Sequence, residues 1–509
     1  MNLSAGAGSL LLSLTWIIPL LSAGVLMALP AGNAGGNRRI RRFSLGVNGL
    51  VLALVAFLSV AFALHPPAAA GDATRTVLAF AVKTPWFPAL GIHYHIGVDA
   101  ISMSMMFLAA VIVFCGTLAS WSIESRAREF FILLQLLAAG VFGSFISFDL
   151  FTFFVFNELT LIPTYLLIGL FGSGRKEYAA MKLNLMLMGG SALILVGILG
   201  LYFQSGVRSF DILELSGIRF DRDFQMWAFP ALFLGFAILG NMFPFHIWSP
   251  DGHASAPTAI SMLLAGVHMK LGGYGCLRIA MYLLPEGAIS WMDAFLVLAA
   301  AGTAWGAIVA AKQKDLKYLN AYSSVSHCGL VFVGLAVLTA AGLRGAVLQM
   351  LAHGFITAAV FCLIGMIYAR THTRHIPAMG GLMAVMPFLS VSFVIAGFAA
   401  LGLPGLAGFV AELNIFLGAF LPDRPLVRVC AAVAVLSIVV TAVYVLRAAN
   451  AILHGPARPG NAAYADASLV ERVPVILLLL CILAMGLYPG PLIALLDGAL
   501  EPILNNLAR

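Results

Sequence analysis

Charge is what this 509-residue sequence has least of: Asp, Glu, Lys and Arg together make up 10% of it. A soluble domain carries about 25%, so the deficit excludes an ordinary soluble globular protein. Cysteine chemistry is missing as well. Cys115, Cys276, Cys328, Cys362, Cys430 and Cys481 lie inside apolar stretches with no CxxC pair and no Cys/His spacing. They read as small core residues and leave no bound metal or iron–sulfur cluster in this chain. There is no phosphate-cradling loop and no nucleophile–His–acid constellation. No basic run sits on a polar domain, so the net charge of +7 is not a nucleic-acid signal.

What is present is hydrocarbon. Hydrophobic residues make up 61% of the chain and the mean hydropathy is +1.01. Only helices and closed barrels satisfy backbone polar groups in lipid. Continuous runs such as SLLLSLTWIIPLLSAGVLMALP are helical and lack the alternation of barrel strands. This first run is too long for a signal peptide and has no basic n-region, so it reads as a retained span. At about 20 residues per crossing, the apolar runs predict an all-α polytopic membrane protein of about fourteen transmembrane helices. They fall near 9–30, 44–64, 100–122, 130–148, 150–171, 180–203, 227–248, 258–283, 290–311, 320–340, 346–369, 383–420, 428–453 and 473–495.

Two of these spans should be broken: the seventh at NMFPFHIWSPDGH, with Pro244 and Pro250, and the twelfth at LGLPGLAG, with Pro404. They stand five apart, an odd offset that reverses direction, so spans 4–8 and 9–13 form two inverted five-helix repeats, the arrangement with which transporters place an ion site near the midplane. The expected units are 1–128, 129–283, 284–455 and 456–509. Lys and Arg concentrate in alternate loops: RRIRR at 38–42, Arg126/Arg128, Arg175/Lys176, Lys312/Lys314/Lys317, Arg370/Arg374 and Arg458/Arg472. Positive charge marks the cytoplasmic side, which places both termini on the opposite face.

Ionisable residues at bilayer depth cost about 2.5–3.5 kcal/mol on insertion scales and are functional candidates by default. Within spans lie Glu158, Lys182, His246, His268, Lys270, Arg278, His327, His353, Glu412 and Arg447. Lys182, Arg278 and Arg447 stand near span ends, where snorkelling to the headgroups is the simpler reading. Glu158, Lys270, His327, His353 and Glu412 are deeper and occupy five spans. One buried His is as often a satisfied core residue as a functional one; the set together alternates acidic, basic and titratable groups, as a hydrated proton path requires. His268 and Lys270, two residues apart, point about 200° from one another on a helix.

Several stretches carry a resemblance: HIGVDAISM (95–103), FDLFTFFVFNELTLIPTYLLIGLFG (148–172), EYAAMKLNLMLMGGSALI (177–194), FPFHIWSPDGHASAPTAISMLLAGVHMKLGGYGCLR (243–278), DLKYLNAYSSVSHCGLV (315–331), LQMLAHGFITAAVFCLIGMIYARTHTRHI (348–376) and GLPGLAGFVAEL (402–413). In this order, covering nearly the whole chain, they resemble the M-type antiporter-like membrane subunit of complex I-type NADH:quinone oxidoreductases. That superfamily also holds Mrp-type sodium/proton antiporters and membrane-bound hydrogenase subunits. The resemblance implies proton translocation in a bacterial inner membrane, beside L-type and N-type membrane subunits. It implies no cofactor in this chain, with NADH, FMN, iron–sulfur clusters and quinone handled by partner subunits. The alternatives are an Mrp-type Na+/H+ antiporter subunit, a hydrogenase-linked subunit and a structural spacer. Carried over, Glu158 matches the fifth-helix glutamate, Lys270 the central eighth-helix lysine and Glu412 the twelfth-helix acid. His327 and His353 match polar relay positions; His246 and Asp251 fall in the motif after the seventh-helix break.

One departure stands out. The family pattern before that motif has a lysine that pairs with the fifth-helix glutamate; here Leu239 occupies its place, Asn241 replaces a proline, and Ser249 and Gly252 replace Leu and Ala. Glu158 therefore needs another partner, and Lys182, His246 and His268 are the candidates, Lys182 foremost because it sits in the adjacent span. The other outcomes are a Glu158 that shuttles protons alone and an inactive first half-channel.

Overall fold

The structure, a computed structural model, describes residues 5–67, 74–455 and 464–508. Arg458 lies outside the described residues. Helices α1 (Ala5–Ala28) and α2 (Ala34–Leu64) precede a hairpin of β1 (Ala79–Phe87) and β2 (Ile92–Val98). Then come α3 (Ala100–Ala119), α4 (Ala127–Ile146), α5 (Leu150–Phe171) and α6 (Lys176–Gln204). The seventh crossing is divided into α7 (Arg222–Leu239) and α8 (Trp248–Ser255). The eighth, α9, is α-helical over Thr258–Leu263 and Met269–Gly275, with π-helical turns at Leu264–His268 and Cys276–Met281. Helices α10 (Pro285–Lys312), α11 (Leu316–Ala336) and α12 (Ala340–Thr371) follow, then a second divided crossing of α13 (Pro387–Ala400) and α14 (Ala407–Phe420). The chain closes with α15 (Pro425–Leu453), α16 (Leu469–Leu487) and α17 (Gly490–Leu507).

Eleven of these helices are long and apolar enough to cross a bilayer; with the two divided crossings and α9 they form a fourteen-pass bundle. Among the described residues the all-α expectation has one exception, the β1–β2 hairpin. The span expected at 473–495 ends at Leu487, because Pro489 and Gly490 start a separate helix, α17. The arginines of RRIRR belong to the first turns of α2 rather than to a loop. In α11 and α12, 94% and 89% of the best membrane window is buried, against 22% in α16, so α11 and α12 form the centre and α16 part of the rim.

The two divided crossings break by the same device. After α7, Asn241 adopts φ 70°; its N–H bonds Ile238 O and the next N–H, of Met242, bonds Ala237 O. After α13, Gly402 adopts φ 67°, with Gly402 N–H on Ala399 O and Leu403 N–H on Phe398 O. Both are Schellman ends, in which one left-handed residue closes the last carbonyls. The helix therefore stops before Pro244 and Pro404, and the prolines only prevent it from resuming. The halves match elsewhere too. Asp149 caps α5 and pairs across to Asp211; Asp315 caps α11 and pairs across to His375.

Outside the bundle, Asp211 ties the loop between α6 and α7 to the hairpin. Lys83 Nζ lies 2.6 Å from both Asp211 and Glu214, and His95 Nδ1 lies 2.7 Å from Asp211. Burial pushes the Asp211 carboxyl up, but the hydrogen bonds and opposite charge of His95 and Lys83 outweigh it and hold the group well below 3.8. A carboxyl lowered in the folded state stabilises above the ordinary carboxylate range, and the contribution fades as pH falls toward the folded value. Proteolysis of the 205–221 loop is accordingly expected to rise as the pH drops below about 4, and Asp211→Asn to raise it at neutral pH already. Gly402→Ala puts a Cβ into a left-handed position, against the Glu412 carboxylate, and is expected to cost about 1–2 kcal/mol. Asn241→Gly should be neutral or slightly stabilising, as thermal unfolding in detergent would read.

Candidate functional site

Four titratable side chains meet at the centre, each from a different helix. Lys270 follows the first π-turn of α9. Its Nζ donates to Ala265 O, five residues back, at 2.5 Å, and stands 2.6 Å from His353 Nδ1 on α12. A π-turn is rare and frequently marks a functional site; here it leaves a carbonyl available to the lysine. The His353 ring lies 5.5 Å from that of His327 on α11. His327 Nδ1 in turn lies 3.8 Å from Glu412 Oε1 on α14 and 3.3 Å from Gln349 Nε2. Lys270, His353, His327 and Glu412 are 2%, 2%, 8% and 5% exposed, so the array runs through the interior. Its far end borders a narrow cleft lined by Asn320, Ser323, His327, Gln349 and Glu412, with the Tyr444 hydroxyl on Ser323 at 2.7 Å.

Two close approaches hold this array. A Cβ on Gly272 would strike the backbone of Gly240, so α9 crosses directly against the break after α7. Gly402 does the same for Glu412, letting the second break sit against the carboxylate.

Glu158 stands apart from this array. It is half-buried, beside exposed Val155 and Ile162, and accepts hydrogen bonds from the Ser191 hydroxyl and the Asn157 side chain. Among the described residues no cation pairs with it. Leu239, 4% exposed, packs in the last turn of α7. The expected relocation of Lys182 does not occur: its Nζ pairs with Asp251 at 2.7 Å, and Tyr318 donates to the other oxygen of Asp251 at 3.1 Å. Ser191 lies nine residues, about 13 Å, farther along α6, beyond the reach of a lysine. His246 stacks on Phe243, ring centroids 5.5 Å apart. His268 Nε2 meets Thr160 Oγ1 at 2.8 Å, facing α5 while Lys270 faces α12.

Comparison with known proteins settles the family. The family described as "NADH:quinone oxidoreductase/Mrp antiporter, TM" matches residues 147–441. A protein of Synechococcus sp. (strain JA-3-3Ab), named NAD(P)H-quinone oxidoreductase chain 4 1, is 36% identical over 484 residues, covering 94% of this chain and 90% of its own. The chain belongs to the NADH:quinone oxidoreductase/Mrp antiporter membrane-subunit family. A chain of the respiratory complex I structure from Thermus thermophilus with bound NADH matches with a TM-score of 0.87 and 30% identity, over 97% of this chain and 99% of that one. A chain of the Mrp complex from Dietzia sp. DQ12-45-1b matches with a TM-score of 0.82 at 22% identity, over 97% of each, a likeness of fold.

Within this antiporter-type bundle several charges sit where the sequence reading did not put them. Arg278 does not snorkel; it is 1% exposed and forms an ion pair with Asp99. Arg447, by contrast, is exposed, as a snorkelling arginine at a span end should be, and donates to Ala311 O. Lys317, counted in a cytoplasmic loop, is 5% exposed and donates to Ala256 O at 2.6 Å. The capping Asp315 is the signal that would have put Lys317 inside α11. His253, which no sequence pattern singles out, is fully buried, stacks on Phe361 at 5.3 Å, and lies within electrostatic reach of Lys270, Lys317 and His268. Both sides of the Lys182–Asp251 pair are partly exposed, at 23% and 28%. A double-mutant cycle on Lys182→Ala and Asp251→Ala is expected to show a coupling of about 0.5–1 kcal/mol. The same cycle between Lys182 and Glu158 should show none.

Proposed function

We propose that this chain is the M-type proton-translocating membrane subunit of a complex I-type NADH:quinone oxidoreductase, and that protons cross its centre laterally from Lys270 through His353 and His327 to Glu412. The observation that carries the reading is that buried series of four titratable groups from four helices. The Lys270 ammonium stands at hydrogen-bond distance from His353 Nδ1, so a proton can pass to the ring in one step. An imidazole accepts at one nitrogen and releases at the other. Nε2 of His353 and Nε2 of His327 have no partner among the described residues, and polar atoms so buried are those that ordered water bridges. Glu412 receives the proton at the second break, and Ser323, Asn320 and Gln349 supply further donors and acceptors along the cleft.

Electron transfer lies outside this reading of the chain: NADH oxidation and quinone reduction, with FMN and iron–sulfur clusters, belong to partner subunits, and L-type and N-type subunits are its membrane neighbours. The seat is a bacterial inner membrane, with both termini and the β1–β2 hairpin on the periplasmic side. Ion pairs Arg370–Glu471 and Arg374–Asp315, at 2.8 and 3.3 Å, then face the cytoplasm, where Lys182, Asp251, Lys317 and His253 line the approach to Lys270.

Lys270→Ala and Glu412→Gln are each expected to abolish proton pumping in vesicles, read with a pH-sensitive dye, while the complex still assembles. Normal pumping in both would refute the lateral route and favour a spacer. Among the described residues Glu158 has no cation to exchange with, so Glu158→Gln should cost less than either; loss of all pumping there would return the first half-channel to the route.

A further inference from the structure

A second polar file begins at Tyr274, one turn beyond Lys270 on α9, and runs away from the lateral array. Lys270, Tyr274, Arg278 and Tyr282 recur every four residues along α9, all of them buried. The Tyr274 hydroxyl meets Ser102 Oγ at 2.9 Å and donates to Phe145 O at 3.4 Å. Arg278 pairs with Asp99 and donates to Thr76 Oγ1 at 3.3 Å. Thr76 N–H reaches the Tyr282 hydroxyl at 3.2 Å, and that hydroxyl donates to Thr74 O at 3.0 Å. Hydroxyls thus line a course from Tyr274, four residues past Lys270, to the 74–76 loop beside the hairpin, on the face opposite the cytoplasm in the reading above.

Hydroxyls, imidazoles and carboxylates can all accept and donate a proton. A guanidinium has five donors, no acceptor and a charge it does not lose. Arg278 lies eight residues from Lys270, about 12 Å along the helix. Its guanidinium lies over the rings of Phe148 and Tyr274, 5.4 and 6.0 Å from their centroids. Asp99, 3% exposed, holds it while also capping α3 through Ser102 N–H at 2.9 Å. The lateral array contains no such group. Fixed arginines in water-lined pores repel protons in this way.

We infer that Arg278, clamped by Asp99, is an electrostatic plug that stops a proton on Lys270 from escaping straight to the hairpin face, so that it leaves laterally toward Glu412. The inference rests on Lys270 being a relay site, as proposed above. Lys270, Tyr274, Ser102 and Thr76 supply the potential leak; Arg278 closes it, and Asp99 positions Arg278.

The test reads passive proton leak in vesicles holding the assembled complex, after an acid jump and without NADH or quinone. The variants are Asp99→Asn, Arg278→Lys and the double Asp99→Asn/Arg278→Gln, which leaves no unpaired buried charge. A plug predicts a several-fold faster leak in the double variant alone, with both single variants as tight as the parent. A tight double variant overturns the inference. So does equal leak from Asp99→Asn, which makes the pair a packing strut, or equal leak from Arg278→Lys, which shows that a retained cation does not seal. A double variant that fails to assemble while both singles do also overturns it, in favour of a strut. Because no turnover is involved, the outcome is independent of whether Lys270→Ala stops pumping, so failure of the plug and failure of the lateral route are read separately.

Discussion

A bilayer gives a buried charge nothing to bind except other protein groups, and that constraint organises this structure. Each titratable side chain in the interior has to be answered by a neighbour, and the neighbours come from other helices. Lys270 is answered by a carbonyl freed at a π-turn and by His353; Arg278 by Asp99; Lys182 by Asp251; Lys317 by a carbonyl at the end of α8. Glu158, with Leu239 in the last turn of α7, is answered among the described residues by a hydroxyl and an amide. The differences among these answers distinguish the groups: those paired to a fixed opposite charge hold elements together, and those facing other titratable groups can hand a proton on.

The helix breaks make this possible. A regular helix spends its carbonyls and N–H groups on itself, whereas an end at mid-depth frees them and brings backbone close to side chains. Both divided crossings end in the same left-handed closure, at Asn241 and at Gly402, and both breaks sit against the titratable array, one through Gly240 on Gly272 and the other through Gly402 on Glu412. The repeated caps at Asp149 and Asp315 show how the halves share a frame while their interiors diverge: at the position nine beyond the cap, one half carries Glu158 and the other Ser324.

Much of the candidate site was legible because charge is so scarce. In a chain with few charged residues, Lys270, His327, His353 and Glu412 announce themselves by depth alone, and the structure brings those four together. Where depth was ambiguous the reading failed. Lys317 and Arg278 stand near span boundaries, and hydropathy cannot tell a snorkelling end from a buried one; Asp315 and Asp99, the capping residue and the partner, decide it. Adjacent spans look close in sequence, which points Lys182 at Glu158, yet its position along α6 sets it beside Asp251 instead.

By itself the sequence determined that this chain crosses a membrane as a helical bundle, that two crossings are broken, and that Lys270, His327, His353 and Glu412 lie deep, because those properties follow from local hydrophobicity, proline and glycine. Only the tertiary structure decided which of the ionisable groups touch, which is sealed in an ion pair and which, among the described residues, has no cation beside it. The Lys270–His353 and Arg278–Asp99 pairings join residues 83 and 179 positions apart, and their geometry is set by helix rotation and depth, quantities that no local pattern encodes.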